Sequence, residues 1–462
     1  MNAPIFDTII IGSGISGMAA GIILAREGEK VLVLEQHRVA GGLTQTYSRN
    51  GCIFPTGVHR LGSLEPGQPL WYYFKYLRLL DRLALEPLCE NCFEHVFFPE
   101  KDYRVPIGRS HYREKLLEYF PEQKKGIERY FSDFETAISH ISLYNPCIVP
   151  EKNRALEYTG PLRPYLESIG ISGRLISLMT ANSPLYGLSS TECPILTHFV
   201  ISDSYLNSSF RINEGQTPFS TALKDSLEAF GGKLRVNARV KQISVEEKSA
   251  KGVVLISGEV ILAGKVIFSG HPGLLTDICP PEHFRPVFRK KLDLESTQGV
   301  FGVALKWKND SCPVKENDAY IYDSWDVDYL YRRTNILEDD GLGMVYLSSL
   351  PGDAPSLGSK KHISVTALTG ISDRETQILR AYYNESKKTA YIGMKDKLIG
   401  KVLDHIALAC PDVKARTEVV ASYSSLTFQR YTLTKGGSAY GIKKTARRFL
   451  EGWFNPATRV RN

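Results

Sequence analysis

The sequence predicts an α/β fold in which a parallel sheet is interrupted by an inserted α+β domain. Residues 7–42 read as a strand, a glycine turn, a helix and a second strand, which is typical of the start of a parallel sheet. Later segments such as 299–310 and 362–370 alternate between apolar and polar residues, which favours an antiparallel sheet. The chain has 462 residues, enough for two or three domains with a sizeable core.

The first element is a buried strand followed by a glycine motif. The run FDTIII is continuously apolar, as expected for a strand that is covered on both faces. Gly12, Gly14 and Gly17 then give G-x-G-x-x-G, in which the glycines allow a tight turn, close approach to a pyrophosphate and close helix packing. The start of the helix offers unpaired N–H groups to phosphate. The nucleotide contacts predicted here are Gly12, Gly14, Ile15, Ser16 and Gly17.

The second strand, KVLVLE, ends at Glu35, 18 residues after Gly17. A carboxylate at that place can accept both ribose hydroxyls of an adenosine, and it would repel a 2′-phosphate. The sequence thus shows a strand, three glycines, a helix, a second strand and a terminal acid at the spacing of a nucleotide-binding unit. This combination predicts a bound dinucleotide. An ordinary strand–helix–strand unit with glycine turns is the alternative.

The loop after Glu35 favours FAD over NAD as that dinucleotide. Arg38 and the glycine pair Gly41–Gly42 follow within one short loop, where a second backbone segment can close over the pyrophosphate and the ribityl chain. An NAD-binding fold does not need this segment, and the chain carries no second glycine motif for a nicotinamide cofactor. The contacts predicted in this loop are Glu35, Gln36, Arg38, Gly41, Gly42 and Leu43.

A further glycine-marked turn, GCIFPTGVHRLG at residues 51–62, contains the element Thr-Gly-Val-His. With the glycine motif, this element resembles the flavin-dependent family of phytoene desaturases, carotenoid isomerases and retinol saturases, within the flavin amine-oxidase-like superfamily. The resemblance implies FAD as cofactor, with contacts from Gly57, Val58 and His59. That family often has an Asp before the Thr and an aromatic residue after the His. This chain has Pro55 and Arg60 there, so the polarity near the flavin differs.

The resemblance continues along nearly the whole chain. Residues 97–108 are similar to a family hairpin, and residues 185–223 are similar to the retinol-saturase branch. The family's Pro-x-Gly-Gly turn is Asn-Glu-Gly-Gln here, at 213–216, so one glycine is missing. The resemblance implies that Val240 offers its backbone to the adenine and that residues 429–442 lie close to the flavin and the substrate.

We therefore expect a discontinuous, Rossmann-like FAD-binding domain with an inserted α+β substrate domain. The FAD-binding domain is predicted at residues 1–70, 208–285 and 425–462, and the substrate domain at 71–207 and 286–424. In the family, a segment like GWFNPATRVRN leads into a final strand, a turn and a helix that points at the flavin. We expect this final segment to be missing and the isoalloxazine half of the site to be incomplete.

The function that the resemblance implies is an FAD-dependent oxidoreductase acting on carbon–carbon bonds of an apolar isoprenoid such as a carotenoid or retinoid. Desaturation, saturation and isomerisation remain open, and saturation needs a proton donor after hydride delivery. The candidate catalytic residues are His59, His198 and Tyr440. Two alternatives remain: a non-catalytic relative that binds a prenyl or lipid group, and a flavin amine oxidase.

Composition sets the remaining expectations. A net charge of +7 is spread along the chain, so nucleic-acid binding is not expected. Cys89 and Cys92 form a CxxC without a second pair, so no metal site is expected. No apolar run is long enough to span a bilayer, which favours a cytoplasmic protein. Residues 69–88 predict an amphipathic helix, either packed in the core or forming a tunnel wall or a peripheral membrane contact.

Overall fold

The computed structural model describes residues 5–141, 144, 154–292, 295–308, 311–350, 362–385 and 389–447. Its strands are β1 (Phe6–Ile11), β2 (Val31–Leu34), β3 (Thr46–Arg49), β4 (Cys52–Pro55), β5 (Leu61–Gly62), β6 (Leu85–Pro87), β7 (Glu94–Phe98), β8 (Lys101–Val105), β9 (Ser209–Ile212), β10 (Lys233–Arg235), β11 (Val240–Glu246), β12 (Ser249–Leu255), β13 (Val260–Phe268), β14 (Gly299–Lys308), β15 (Asp318–Tyr322), β16 (Met344–Ser349), β17 (His362–Ile371) and β18 (Thr417–Tyr423). Its helices are α1 (Ile15–Arg26), α2 (Pro69–Tyr76), α3 (Arg109–Tyr119), α4 (Lys124–Ser139), α5 (Leu162–Ser168), α6 (Gly173–Met179), α7 (Ile195–Asn207), α8 (Phe219–Ala229), α9 (Leu275–Ile278), α10 (Pro286–Leu292), α11 (Tyr329–Arg332), α12 (Asp373–Glu385), α13 (Thr389–Ile406), α14 (Val413–Arg416) and α15 (Ser425–Thr432).

A six-stranded sheet carries the glycine motif. Its order is β10-β2-β1-β13-β12-β11, and β10, β2, β1 and β13 run parallel. The run FDTIII forms β1 in the middle of this sheet, and Gly12, with φ of 102°, makes the turn into α1. Gly17 packs against Gly12 and Ser269 so closely that a Cβ would collide with the backbone. The structure thus confirms the predicted strand, glycine turn, helix and strand of an α/β fold.

A seven-stranded sheet forms the second layer, in the order β18-β14-β17-β16-β15-β7-β8. Strands β14 and β17 pair antiparallel along their whole length, which confirms the alternating segments of the sequence as one sheet. Strands β7 and β8 form the expected hairpin within residues 97–108, although β7 already begins at Glu94. Helices α12 and α13 are joined to this sheet by a shared core that contains Trp307, Leu379 and Leu398.

The prediction of one helix over residues 69–88 is wrong about its length, because the observed helix is shorter. Helix α2 ends at Tyr76, because Arg78 adopts a left-handed φ of 53° and the Leu79 N–H bonds back to the Phe74 carbonyl at 2.8 Å. Such a closing bond is how many helices stop, and the apolar residues beyond it turn inward instead of extending the helix. Strand β6 follows and pairs with β9.

A helical layer built from α3 to α7 covers one end of the seven-stranded sheet. Its core is aromatic and includes Tyr130, Phe134 and Phe199, each almost fully buried. Helix α7 begins directly after Pro194, as the sequence predicts for the helix that carries His198. None of the helices in the described ranges combines the length and the apolar character needed to cross a membrane.

Candidate functional site

A cavity of about 1330 Å³ opens at the carboxyl ends of β1 and β2. Ligands of parallel α/β sheets bind at this edge, because the strand ends and the helix N-termini meet there. The cavity runs from the glycine motif, across the start of β11, to β18 and α15. Both layers of the fold therefore contribute to its walls.

Glu35 connects the two glycine segments at the nucleotide end of this cavity. Its carboxylate accepts the Ser13 N–H at 3.1 Å, the Ser13 hydroxyl at 2.5 Å and the His37 N–H at 2.8 Å. The Ser13 hydroxyl accepts in turn from the Gly41 N–H at 3.0 Å. A carboxylate at the end of β2 is thus fixed in place where a ribose would lie above Gly12 and Gly14.

The second glycine segment passes close over the first. Gly41 has φ of 115°, and a Cβ there would lie 2.6 Å from the Ser220 Cβ at the start of α8. A Cβ on Gly42 would lie 3.2 Å from the Gly14 Cα. Both positions therefore favour glycine, and the two glycine segments pack directly on each other.

Eight of the residues predicted to contact the cofactor line the cavity. They are Gly12, Gly14, Glu35, Gln36, Arg38, Gly42, Leu43 and Val240. Ile15 and Ser16 are exposed in the first turn of α1, and Gly17 and Gly41 pack behind the wall. Gly57 packs on Leu43, and Val58 joins the core around α1 and α8. The cavity thus brings together the glycine motif, the loop after β2 and the start of β11.

Sequence reasoning missed a large part of the wall. Tyr47 and Tyr423 line the cavity, and within the described ranges their buried hydroxyls have no hydrogen-bond partner. Orphaned polar atoms of this kind are costly unless a ligand or a water satisfies them. The cationic side chains of Arg49 and Arg239 also line the space. Unpaired hydroxyls, cations and glycine backbone together fit a long, polar, phosphate-bearing cofactor such as FAD.

Two predicted catalytic residues, His59 and Tyr440, do not line the large cavity. Thr56 and Thr434 line the cavity, and the chain leads from them to His59 and Tyr440 respectively. Tyr440 keeps 46% of its surface exposed, yet burial raises the pKa of its hydroxyl. Burial lowers the pKa of His59 to about 4, with Asp318 opposing and nearby arginines reinforcing the shift, so this imidazole is neutral at pH 7.

A buried network of charged residues lies directly behind His59. Arg60 pairs with Glu94 and, at 3.2 Å, with Asp318. Asp318 also accepts from Arg211 at 2.7 Å and from the Tyr346 hydroxyl at 2.6 Å. Burial of Asp318 would raise its carboxyl pKa, but the two guanidinium groups hold it below its usual value. The network joins the loop of the Thr-Gly-Val-His element to β7, β9, β15 and β16.

The third predicted catalytic residue, His198, lies elsewhere, in the core of the helical layer. Its Nε2 meets the Tyr130 hydroxyl at 3.0 Å and its Nδ1 meets the Tyr186 hydroxyl at 3.3 Å. Burial lowers its pKa to about 3, and the residue is 1% exposed. His198 does not line the large cavity. A catalytic role for it stays a prediction, and its surroundings are those of a neutral, hydrogen-bonded core histidine.

The family model described as "Flavin containing amine oxidoreductase" matches residues 15–364 of this chain. The chain is 25% identical to an all-trans-retinol 13,14-reductase of Danio rerio, over 96% of this chain and 78% of that protein. It is 24% identical to a 4,4′-diapophytoene desaturase of Methylomonas, over 56% of this chain and 53% of that protein. It is 25% identical to prolycopene isomerase 1 of an Oncidium hybrid cultivar, over 58% of this chain and 48% of that protein.

A solved oxidoreductase structure from Methanosarcina mazei superimposes with a TM-score of 0.64. The match covers 90% of this chain and 87% of that one at 17% sequence identity. At this identity the likeness shows the shared fold alone.

Proposed function

This chain belongs to the flavin-containing amine oxidoreductase family, and from that premise we propose a carbon–carbon double-bond reductase that uses FAD on an apolar isoprenoid. The chain is an FAD-dependent oxidoreductase, so the proposal concerns the substrate and the direction of the reaction. One observation carries it. The retinol 13,14-reductase aligns over 96% of this chain, whereas the desaturase and the isomerase align over 56% and 58%.

We propose that the adenosine end of FAD lies on Gly12, Gly14 and the start of α1, with its ribose on Glu35 and its adenine beside Val240. The orphaned hydroxyls of Tyr47 and Tyr423 support a cofactor that continues towards β18. The glycine pair at Gly41–Gly42 would let the backbone follow the pyrophosphate.

FAD would supply hydride exchange at its N5 atom. The protein would orient the substrate, exclude water and donate a proton. His59 and Tyr440 follow Thr56 and Thr434 of the cavity wall in the sequence, and this proximity along the chain supports placing them at the substrate. Since His59 is neutral at pH 7, we propose that it orients the substrate through one ring nitrogen and does not act as a cationic acid.

Contact with a membrane surface remains a prediction. Helix α2 exposes parts of Tyr73 and Tyr76, and the Arg26 guanidinium lies 4.0 Å above the Tyr76 ring. Aromatic and basic side chains together suit the interface of a bilayer, where an apolar isoprenoid would be found. A cytoplasmic location likewise remains a prediction.

The experiment combines a spectrum with a substrate comparison. We expect the purified protein to retain flavin absorbance after incubation with FAD and removal of the unbound cofactor. We also expect the pre-reduced holoenzyme to be reoxidised by all-trans-retinol or a carotenoid under anaerobic conditions. Putrescine and other simple amines serve as the matched comparison. Reduction of oxidised holoenzyme by an amine, with no reaction of the reduced form with any isoprenoid, would replace this proposal by amine oxidation.

A further inference from the structure

Helix α10 and the residue before it form a strongly basic surface. Residues 285–291, the α10 surface, read RPVFRKK and include no acidic residue. The side chains of Arg285, Arg289 and Lys290 are exposed, and Lys291 is half-buried in the last turn of the helix. Within the described ranges, none of these four cations forms an ion pair with a carboxylate. Their positive charge is therefore available to an anionic partner.

An apolar side chain lies among these cations. Val287 is 67% exposed, more than any other large apolar side chain of the described ranges. Lys290 and Lys291 follow it by three and four positions in α10, so the three side chains share one face of the helix. Cations in a last turn also complement the helix dipole, but that effect does not account for an exposed valine beside them. The combination is typical of a surface that contacts a partner with both anionic and apolar groups.

The inner side of this segment is fixed to the nucleotide-binding sheet. The rings of Phe284 and Phe288 stack with their centroids 5.4 Å apart. Both rings belong to a core cluster that includes Ile243 of β11. Because this aromatic pair anchors the helix, the α10 surface is presented outward on a fixed element.

The α10 surface adjoins one wall of the large cavity. The core cluster that anchors it also contains Ile278 of α9, which lines the cavity. At the end of α10, a Cβ on Gly273 would lie 3.3 Å from the Leu292 carbonyl oxygen. The Gly273 N–H in turn donates at 3.2 Å to the ring of His271, another residue of the cavity wall. A partner bound at the α10 surface would therefore lie beside the cofactor cavity.

Helix α2, the other candidate for membrane contact, differs because its polar groups are already bound. The Arg26 guanidinium beside it donates to the Tyr76 carbonyl at 2.6 Å, and the Tyr76 hydroxyl donates to Glu27 at 3.1 Å. The Lys75 ammonium lies 4.5 Å from the centroid of the Trp71 ring. Within the described ranges, the cations of the α10 surface have no carboxylate partner to give up, which favours this surface for binding anionic groups.

We propose that the α10 surface docks this protein on an anionic lipid bilayer. The inference rests on the proposed function, because an apolar isoprenoid substrate partitions into a bilayer and not into water. Each Lys or Arg near an anionic bilayer strengthens the attraction about fivefold, and the Val287 side chain would enter the interface beside the cations. An acidic protein is the alternative partner. The exposed valine and the apolar substrate favour the bilayer.

The test is co-sedimentation of the FAD-loaded full chain with vesicles of phosphatidylcholine alone or of an equimolar mixture with phosphatidylglycerol. We expect binding to the mixed vesicles that weakens as salt is added, because salt screens exposed charges. The double variant Lys290→Gln/Lys291→Gln should bind about 10–25-fold more weakly, because two cations are removed. No binding to either kind of vesicle would overturn the inference and leave an acidic protein as the partner of this surface.

The matched control is the double variant Lys124→Gln/Lys125→Gln. It removes the same charge from two adjacent, exposed lysines at the start of α4. We expect this variant to bind the mixed vesicles as the wild type does. An equal loss in the control and in the α10 variant would overturn the inference, because binding would then follow net charge and not this surface.

A further pair of variants tests the apolar contact and the rival site. Val287→Ser should weaken binding to the mixed vesicles about fivefold, because less apolar surface leaves water. Tyr73→Ser changes an exposed side chain of α2 instead. Binding that depends on Tyr73 and not on the α10 surface would overturn the inference and assign the contact to α2.

The proposed function is tested separately in detergent micelles, where all-trans-retinol reaches the pre-reduced holoenzyme without a bilayer. Reduction of retinol in micelles, together with no binding to vesicles, would overturn this inference and leave the proposed function standing. Binding to mixed vesicles that depends on the α10 cations, without reduction of any isoprenoid, would overturn the proposed function and support the docking surface alone.

Discussion

The nucleotide end of the large cavity and the charged network behind His59 differ in how far apart their residues lie along the chain. Most of the predicted contacts at the nucleotide end lie within residues 12–43, and its central contacts, between Ser13 and Glu35, span 22 positions. The network joins Arg60 to Asp318 across 258 positions. A short contiguous motif can be read from the sequence, whereas a network assembled from five strands and loops cannot.

The two regions also differ in how their charges are stabilised. Glu35 is held by backbone and hydroxyl donors, and it lines a cavity open to a ligand. Asp318 and Arg60 are almost fully buried. The attraction between them therefore has to offset the free energy that each charge loses when it leaves water. Removing one charged side chain of the network should therefore lower the stability of the protein. Removing Glu35 at the nucleotide end should instead weaken ligand binding.

The largest effect is expected for Asp318→Ala. The change leaves the Arg60 and Arg211 guanidinium groups buried without the carboxylate that they share. Breaking a buried pair in this way costs about 3–5 kcal/mol of unfolding free energy. Urea unfolding of the purified protein measures the loss.

The control for that variant is Asp102→Ala. Asp102 pairs with His95 at 2.6 Å, but its side chain is half exposed, so we expect a loss of about 0–1 kcal/mol. Comparable losses in the two variants would mean that the network contributes no more than a surface pair.

The next effect concerns the nucleotide end. Glu35→Ala should weaken FAD binding more than tenfold, because a charge-assisted hydrogen bond contributes about 1.5–3 kcal/mol. Titration of the apoprotein with FAD, followed by flavin fluorescence, gives the dissociation constant. Ser13→Ala is the matched control, since it removes the link from Glu35 to Gly41 and keeps the carboxylate. An equal loss in Ser13→Ala would show that Glu35 acts by ordering the loop and not by holding the ribose.

The sequence was most informative where neighbouring residues decide the structure. The strand and helix around Gly12 and Gly17 could be predicted because the glycine positions follow from local backbone needs. The helix beginning after Pro194 could be placed for the same reason. The end of α2 could not, because it depends on the left-handed turn at Arg78, which apolar periodicity does not reveal.

The candidate site could be predicted only in part. Arg60 stood out as a departure from the family pattern, yet nothing near it in the sequence indicates its partners Glu94 and Asp318. A site whose residues are distant in the sequence can be recognised only in the folded structure.

The smallest effect concerns Glu214, a buried carboxylate that belongs to neither region. It lies in the turn at 213–216 before α8, where it accepts the Phe219 N–H at 3.1 Å. Burial raises the pKa of this carboxyl from 4.5 to about 7, and the bond to Phe219 opposes the shift only in part. The contrast with Asp318 is that no cation is among the causes of this shift.

Glu214→Gln should therefore change the pH dependence of stability. The folded state holds the Glu214 proton more tightly than the unfolded state, so this contribution is complete below about pH 4.5 and is lost as the pH rises through 7. Glutamine keeps an oxygen that can accept the Phe219 N–H but carries no charge, so the variant should be the more stable protein at pH 8 by about 1–3 kcal/mol, at about 1.4 kcal/mol per pKa unit. The two proteins should converge towards pH 5. Urea unfolding at a series of pH values measures both curves, and parallel curves from pH 5 to 8 would mean that Glu214 is ionised without penalty in the folded protein.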